Sequence, residues 1–307
     1  MTRLPTTLAA IGLGALLLAA GCATSPTKAA STTGSHRLEV VAAENFWGSL
    51  AGQLGGTHAH VTSIINSPDA DPHDYEPTAS DGRAIAGADL AIVNGVGYDT
   101  WASKLIAANP SPARTDLNVG ALVGVPTNGN PHRWYSPDDV RTVIDTLTAD
   151  FSKLDPADRS YFEAQRTQVL TVSLKGYFDA IAAIKARYAG TPVGASESIF
   201  APLAQGLGLT LLTPESFLDA ISEGTDPTAR DKTLIDAQIT DHRIKLYVYN
   251  SQNATPDVQA QVSAARQAGI PVTTVTETLT PAGASFQDWQ VRQLTSLQAA
   301  LAQATGK

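Results

Sequence analysis

Two histidines of the chain are framed by prolines, in the segments Asp71-Pro72-His73-Asp74-Tyr75-Glu76-Pro77-Thr78 and Asn130-Pro131-His132-Arg133-Trp134-Tyr135-Ser136-Pro137. A proline fixes its own φ and disfavours the helical region for the residue before it, so each imidazole lies on a short, stiff loop. Stiff loops of this kind hold metal ligands in place before the metal arrives. We therefore predict that His73 and His132 bind a metal ion.

The other four of the 6 histidines occupy different settings. His58 and His60 form a His-x-His pair on a predicted turn before a strand, which is typical of a solvated edge, with an accessory metal site as the alternative. His36 lies in a polar N-terminal stretch and His242 in a polar loop, and we interpret both as solvent-facing. Trp134, in the second proline-framed loop, is predicted to pack and hold that loop.

The N-terminus has the features of a secretion signal. A weakly basic start precedes an apolar run over residues 8–20 that is too short to span a bilayer comfortably. The run ends in Leu18-Ala19-Ala20-Gly21-Cys22, which resembles a bacterial lipobox. Because Cys22 is the only cysteine, it can form no internal disulfide, and we interpret it as a lipid-attachment site. An ordinary cleaved signal with a chance cysteine is the alternative. We predict a signal peptide over 1–21 and a flexible tether over 22–37.

Composition narrows the class of partner. The chain is 43% hydrophobic and 16% charged, as in ordinary soluble globular proteins, and its net charge is −8 at pH 7. This acidic balance, with no run of Lys or Arg, argues against nucleic acid and favours a cation as ligand. The roughly 270 residues after the tether are enough for two domains, each with its own core.

Short β-branched runs alternate with helical patterns along the chain. This alternation predicts an α/β fold with mainly parallel sheets covered by helices. Helices are predicted over 45–54 and 101–107, and strands over 38–43, 61–65, 90–93, 192–195, 245–249 and 271–275.

The middle of the chain predicts a long helix. Ser136-Pro137 and Asp155-Pro156 each combine an N-cap residue with a proline in the first turn. The helix that starts at Pro156 keeps one apolar face to about Tyr188, which gives a length of about 50 Å, more than the diameter of one lobe. We predict that it bridges two lobes, with a helical hairpin inside one lobe as the alternative.

Four segments taken together resemble the metal-receptor family of bacterial ABC importers, the zinc- and manganese-binding solute-binding proteins called cluster 9. The resemblance covers nearly all of residues 38–303, and it implies two similar α/β lobes joined by one long rigid helix, with the metal between them. The implied organisation is an N-terminal metal-binding lobe over 38–155, a bridging helix over 156–188 and a C-terminal metal-binding lobe over 189–307. The segments are Asp71 to Thr78, Asn130 to Trp134, Asn94-Gly95-Val96-Gly97-Tyr98, and Gly194 to Phe200 followed by Gly206-Leu207-Gly208-Leu209.

The resemblance also implies the ligands, two from each lobe. The first lobe would supply His73 and His132, and the second Glu197 and Glu277, the latter where the family usually has aspartate. Two carboxylates and two neutral imidazoles around a divalent ion sum to zero charge, which makes burial of the ion feasible. The carboxylate at position 197 and the lack of a histidine-rich loop after the first ligand favour Mn²⁺, or Fe²⁺, over Zn²⁺ within the family pattern.

The implied function is that of an extracytoplasmic receptor, and not of an enzyme. It would bind one divalent transition metal ion, Mn²⁺ or Zn²⁺ with Fe²⁺ possible, and deliver it to an ABC permease served by a cytoplasmic ATPase. It would act as a monomer on the outer face of the cell membrane, anchored through Cys22. The alternative is a secreted zinc-dependent hydrolase, but the sequence contains neither His-Glu-x-x-His nor Gly-x-Ser-x-Gly.

Overall fold

The structure is a computed structural model that describes residues 37–68, 70, 72 and 75–307. The predicted signal peptide, the tether up to residue 36, Cys22 and His73 lie outside the described residues. Within the described part, no helix combines the length and the apolar character needed to cross a membrane.

The first half of the described chain forms a parallel four-stranded sheet, which we call the first lobe. Its strand order is β2-β1-β3-β4, so the chain enters at an inner strand and then moves to both sides. The strands are β1 (Leu38–Glu44), β2 (Ala59–Ile65), β3 (Leu90–Val93) and β4 (Thr115–Asn118), and the helices are α1 (Asn45–Gly55), α2 (Ala79–Gly87), α3 (Thr100–Ala108), α4 (Val119–Leu122) and α5 (Pro137–Leu154).

The segment between the lobes is helical except at Leu174, but it is not one regular α-helix. A 3₁₀ turn over Pro156–Asp158 leads into α6 (Arg159–Gln168), a π-helical turn follows over Val169–Ser173, and α7 (Lys175–Tyr188) completes the segment. We call 156–188 the bridging segment.

One wide backbone hydrogen bond marks the π-helical turn. Leu174 N donates to Val169 O at 2.8 Å, which is the wider i→i+5 bond. The Thr171 hydroxyl also donates to Thr167 O at 2.7 Å, as threonines of the regular helices do to the carbonyl four residues before them. The predicted cap at Ser136 is confirmed, because its side chain accepts from Asp139 N, whereas the predicted side-chain cap at Asp155 is wrong.

The second half of the chain repeats the sheet arrangement, as the second lobe. The strand order β6-β5-β7-β8 matches that of the first sheet, and all pairs are parallel, which confirms the prediction of an α/β fold with two similar lobes. The strands are β5 (Pro192–Ala195), β6 (Thr210–Leu211), β7 (Leu246–Asn250) and β8 (Val272–Val275), and the helices are α8 (Ala201–Gly206), α9 (Glu215–Ser222), α10 (Ala229–Thr240), α11 (Pro256–Gln267) and α12 (Phe286–Thr305).

One hydrophobic core runs through both lobes and the bridging segment. It includes Phe46 of α1 and Trp134, whose rings stack with centroids 4.0 Å apart, so Trp134 packs as predicted. Helix α12, although last in the chain, also contacts the first lobe, because Phe286 N donates to Ser49 Oγ at 3.0 Å. The lobes are therefore held in one arrangement by the bridging segment and by α12.

Candidate metal centre

The candidate residues of the second lobe lie at the carboxyl ends of its strands. Glu197 follows the end of β5 by two positions, and Glu277 follows the end of β8 by two positions. Asn250 is the last residue of β7, which lies between β5 and β8 in the sheet. Because these strands are parallel and adjacent, the side chains at their carboxyl ends meet at one edge of the sheet.

The first lobe places His132 opposite this edge. The side chain is buried, and its Nδ1 lies 2.9 Å from Asn130 Oδ1, which also accepts from His132 N at 3.0 Å. Asn94 Nδ2 donates to Pro131 O at 2.8 Å and holds the loop. Since Asn130 Oδ1 can only accept, Nδ1 carries the proton and Nε2 presents a lone pair. That Nε2 lies 3.7 Å from Glu277 Oε1.

An asparagine amide lies between the two carboxylates. Asn250 Nδ2 donates to Glu277 Oε1 at 2.9 Å and also to Glu197 Oε1. The amide orientation is fixed because Asn250 Oδ1 accepts from Gln252 N at 3.0 Å. Asn253 Nδ2 donates to the other Glu197 oxygen, Oε2, at 2.7 Å. Both carboxylates are thus oriented by side chains at the carboxyl end of β7 and just beyond it.

A glycine-rich loop after β3 supports Glu277 from the first lobe. The Tyr98 hydroxyl donates to Glu277 Oε2 at 3.0 Å. Asp99 fixes the loop, because its carboxylate accepts from Asn94 N at 2.6 Å and from Gly95 N at 2.9 Å. Gly95 has φ +76°, and a Cβ there would lie 2.2 Å from a side-chain oxygen of β4. Glycine is therefore required where this turn passes the sheet.

Burial dominates the electrostatics of the site. It raises the pKa of Glu197 to about 8, with the charge of Glu277 as the second cause, while the hydrogen bonds from Asn250 and Asn253 act in the opposite direction. Burial also lowers the pKa of His132 to about 4, although the charge of Glu197 opposes this change. At neutral pH and without a cation, His132 is therefore neutral and Glu197 mostly holds a proton.

A second acidic pair lies beneath the same region of the first lobe. Glu44, the last residue of β1, is fully buried, and its pKa is raised well above the ordinary value by burial and then by the neighbouring charge of Asp99. Burial also raises the pKa of Asp99, although the backbone amides of Gly95 and Asn94 lower it. Burial therefore favours the protonated form of the Glu44 carboxyl more than it would for an exposed glutamate.

The structure brings three of the four predicted ligands together. His132, Glu197 and Glu277 converge from both lobes, while His73 lies outside the described residues. Among the described residues, these three do not form a group whose ligand atoms all lie within 4.8 Å of one another. A single ion bound by all of them would therefore require the carboxylates to move away from the Asn250 amide.

Sequence reasoning missed the asparagines that orient the carboxylates. The polar run Asn250-Ser251-Gln252-Asn253, which follows the apolar residues Leu246-Tyr247-Val248-Tyr249, was the available signal, because polar residues at the carboxyl ends of parallel strands are typical of ligand sites. Glu197 occupies the N-cap position of the 3₁₀ turn that follows it, but its side chain makes no capping hydrogen bond.

A cavity opens between the lobes beside His132. Its volume is about 200 Å³, and Tyr98 and Asn130 of the first lobe line it together with Ser198 and Asp219 of the second. Asn130 Nδ2 donates across the cleft to Ser198 O at 2.7 Å. The cavity therefore lies between the two lobes next to the loop that carries His132, and Asp219 and Glu223 give it an acidic side.

The fold and the site together define a class of protein. The two lobes have parallel sheets of the same strand order, and polar groups converge in the cleft between them. This is the architecture of a two-lobed binding protein. A family model described as "ZnuA: Zinc-uptake complex component A periplasmic" matches residues 40–300. The chain belongs to this family. The family supplies a component of an uptake complex, which agrees with the prediction that the chain is not an enzyme.

Similar proteins carry metal-transport names. The chain is 27% identical over 143 residues to the manganese-binding lipoprotein MntA of Halalkalibacterium halodurans, which covers 46% of this chain and 47% of the relative. It is 26% identical over 192 residues to the iron ABC transporter substrate-binding lipoprotein MtsA of Streptococcus pyogenes, covering 55% and 61%. The chain spans about half the length of the curated relatives it matches.

Solved structures show the same fold. A Mn-bound periplasmic metal binding protein from Candidatus Liberibacter asiaticus has a TM-score of 0.71 and 18% identity, and the match covers 85% of this chain and 98% of that one. The binding protein FpvC of P. aeruginosa, in complex with Ni²⁺, has a TM-score of 0.71 and 21% identity, with coverage of 88% and 99%. At these identities the likeness concerns the fold alone.

Proposed function

We propose that the chain is the extracytoplasmic receptor of a metal ABC importer and binds one divalent transition metal ion between its lobes. The ligands would be His73, His132, Glu197 and Glu277. The observation that carries this proposal is the bare Nε2 of buried His132, which faces a carboxylate oxygen at 3.7 Å. Two acceptors in such contact are stabilised by a cation between them.

The charge of the proposed ligand set suits a divalent ion. Two carboxylates neutralise the ion, and two neutral imidazoles complete the shell without adding charge. Imidazoles suit Zn²⁺ and carboxylates suit Mn²⁺, so a mixed set accommodates both, and Fe²⁺ as well. The relatives named for manganese and for iron support a cargo of this class.

The lobes proposed here are residues 38–155 and 189–307, joined by the bridging segment 156–188. Contacts across the cleft support small lobe movements on loading. Gln252 of the second lobe donates to Pro68 O of the first, and its Oε1 accepts from Glu277 N at 2.6 Å. Both lobes and the bridging segment share one hydrophobic core, so the ion would be admitted by local shifts of its ligands.

We further propose where the receptor acts and what it meets. Names of relatives as ABC transporter substrate-binding lipoproteins support a permease, a cytoplasmic ATPase and an extracytoplasmic location. The lipobox supports an anchor at Cys22 on the outer face of the cell membrane, and we propose that the receptor acts as a monomer. The hydrolase alternative gains no support from the comparisons.

The test uses residues 23–307, which include the whole compact unit 36–307. The metal-free protein is titrated with Mn²⁺, Zn²⁺ and Fe²⁺ while its melting temperature is followed. We expect an ion to raise the melting temperature of the parent, and the substitutions His132→Ala and Glu277→Ala to abolish most of that rise. His242→Ala removes an exposed histidine and serves as the control. A parent that no ion stabilises would contradict the proposal.

A further inference from the structure

A second group of metal-ligating side chains lies on the first lobe, where the bridging segment begins. His58 ends the 3₁₀ turn after α1, Asp155 follows the last residue of α5, and Asp158 ends the 3₁₀ turn before α6. One ligand atom from each lies within 4.8 Å of the other two, the only such group among the described residues. None of the three belongs to the proposed cargo site.

The contact between His58 and Asp158 has the geometry of two neighbouring ligands. Nδ1 and Oδ2 are 2.8 Å apart. Yet Nδ1, although shielded from solvent, has no hydrogen-bond partner among the described residues, because Oδ2 lies off the ring N–H direction. Ligand atoms in adjacent positions around one ion are about 3 Å apart, with lone pairs that point at the ion and not at each other.

The imidazole is also held in place. Tyr161 packs against the His58 ring with centroids 4.1 Å apart, and its hydroxyl accepts from Thr57 N at 3.3 Å. Gly56 permits this approach, since it has φ +51° and a Cβ there would lie 2.0 Å from the Tyr161 oxygen. The ring therefore cannot turn freely, and its nitrogen stays beside the two carboxylates.

Charge and access favour a hydrated divalent ion. The Asp155 carboxylate makes no hydrogen bond or ion pair with the described residues, so it is available as a ligand. The side chains of His58 and Asp158 are 21% and 29% exposed, which leaves room for water ligands. Two carboxylates neutralise a divalent ion, and one imidazole selects a transition metal over Mg²⁺ or Ca²⁺.

We propose that His58, Asp155 and Asp158 form a second site that binds one divalent transition metal ion, with Zn²⁺ preferred over Mn²⁺ and water completing the shell. The ion would fasten the start of the bridging segment to the end of α1. His60 takes no part, because its Nδ1 contacts Glu39 Oε2 at 2.8 Å on the exposed strand face.

The experiment counts Zn²⁺ ions on metal-free residues 23–307 by isothermal titration calorimetry. We expect two equivalents on the parent, one on His58→Ala, and two on the matched control His60→Ala. In the His132→Ala background one equivalent should remain, and adding His58→Ala should remove it. These variants separate the two sites, because the Zn²⁺ equivalent that depends on His58 can be counted both in the parent and in the His132→Ala protein, whether or not the cargo site binds an ion.

Asp155→Asn gives a second variant whose folding is not at risk, since that carboxylate has no partner among the described residues. It should lower the affinity of the His58-dependent equivalent at least tenfold without changing the urea unfolding of the metal-free protein. Co²⁺ added to His132→Ala should give a visible d–d band that His58→Ala abolishes. The proposal is overturned if His58→Ala binds as many ions as the parent, or if His60→Ala loses the same equivalent.

Discussion

Metal binding should release a proton from Glu197, which makes the affinity depend on pH in a defined way. The pKa of this carboxyl is raised to about 8 by burial and by Glu277, so a cation must displace the proton before it can bind. The pKa of His132 is lowered to about 4, so its imidazole is already neutral at pH 5.5 and contributes little above that pH. Acid should therefore weaken binding through the carboxyl, and not through this histidine.

The size of the effect follows from the ionised fraction of Glu197. With a pKa of about 8, that fraction is about a quarter at pH 7.5 and about 0.3% at pH 5.5, so Glu197 alone should lower the apparent association constant about 80-fold. Between pH 8.5 and 7.0 the fall should be about eightfold, whereas a group with the ordinary histidine pKa of about 6.5 would give about 1.3-fold. At pH 7 about 0.9 proton should leave per ion bound.

The assay is isothermal titration calorimetry at several pH values in buffers of different ionisation enthalpy that do not bind metal. The dependence of the observed enthalpy on the buffer gives the number of protons released. Asn253→Ala is the matched variant, because it removes a hydrogen bond that lowers the pKa of Glu197 and should move the midpoint of the pH dependence upward. An affinity that is flat between pH 8.5 and 7.0, with no proton released at pH 7, would refute the reasoning.

Four further outcomes are expected. The pKa of Glu197 is raised in the folded state, so between pH 6.5 and 8 the folded protein binds protons that the unfolded chain has released. The metal-free parent should therefore lose about 1.6 kcal/mol of stability as the pH rises from 6.5 to 8. Urea unfolding should show that Glu197→Gln removes this loss. Asn130→Ala should weaken metal binding about 10- to 100-fold in a chelator competition assay, because His132 Nδ1 then loses the acceptor that keeps its proton in place. Asn130→Asp keeps an acceptor and should weaken binding less. Equal loss of affinity in the two variants would contradict this role of Asn130. Tyr98→Phe removes the hydrogen bond to Glu277 and should weaken binding about 2- to 10-fold in the same assay, and an unchanged affinity would count against it. Small-angle scattering should give the same radius of gyration for metal-free and loaded protein, and a large decrease on loading would contradict the stiff bridging segment.

The fold was predictable because its signals are local and periodic. The strands that are buried on both faces read as β-branched runs, as in Leu90–Val93, and each was followed by a helical pattern. Strands β4 and β6 were missed since Thr115–Asn118 is polar and Thr210–Leu211 is only two residues long. The π-helical turn was missed because the spacing of apolar residues continues through it. That spacing indicates a helix but does not distinguish an i→i+4 from an i→i+5 backbone hydrogen bond.

The candidate site was predictable in part. Pro131 made the loop of His132 recognisable from its own neighbours, while Glu197 and Glu277 came from family resemblance. No local signal could show that Asn250 lies between those carboxylates, because asparagine after a strand is equally typical of a turn. That contact depends on the order β5-β7-β8 in the sheet, which the sequence does not display.

The position of Asn250 has a kinetic consequence. Its amide nitrogen donates to both Glu197 and Glu277. When no ion is bound, this amide therefore lies between two acidic groups that would otherwise face each other directly. A departing ion can then be replaced by this amide in a single side-chain movement, without a wait for water to enter the cleft. We expect the residue to set the rate at which cargo is surrendered more than the strength with which it is held, so Asn250→Ala should prolong the bound lifetime in stopped-flow chelation.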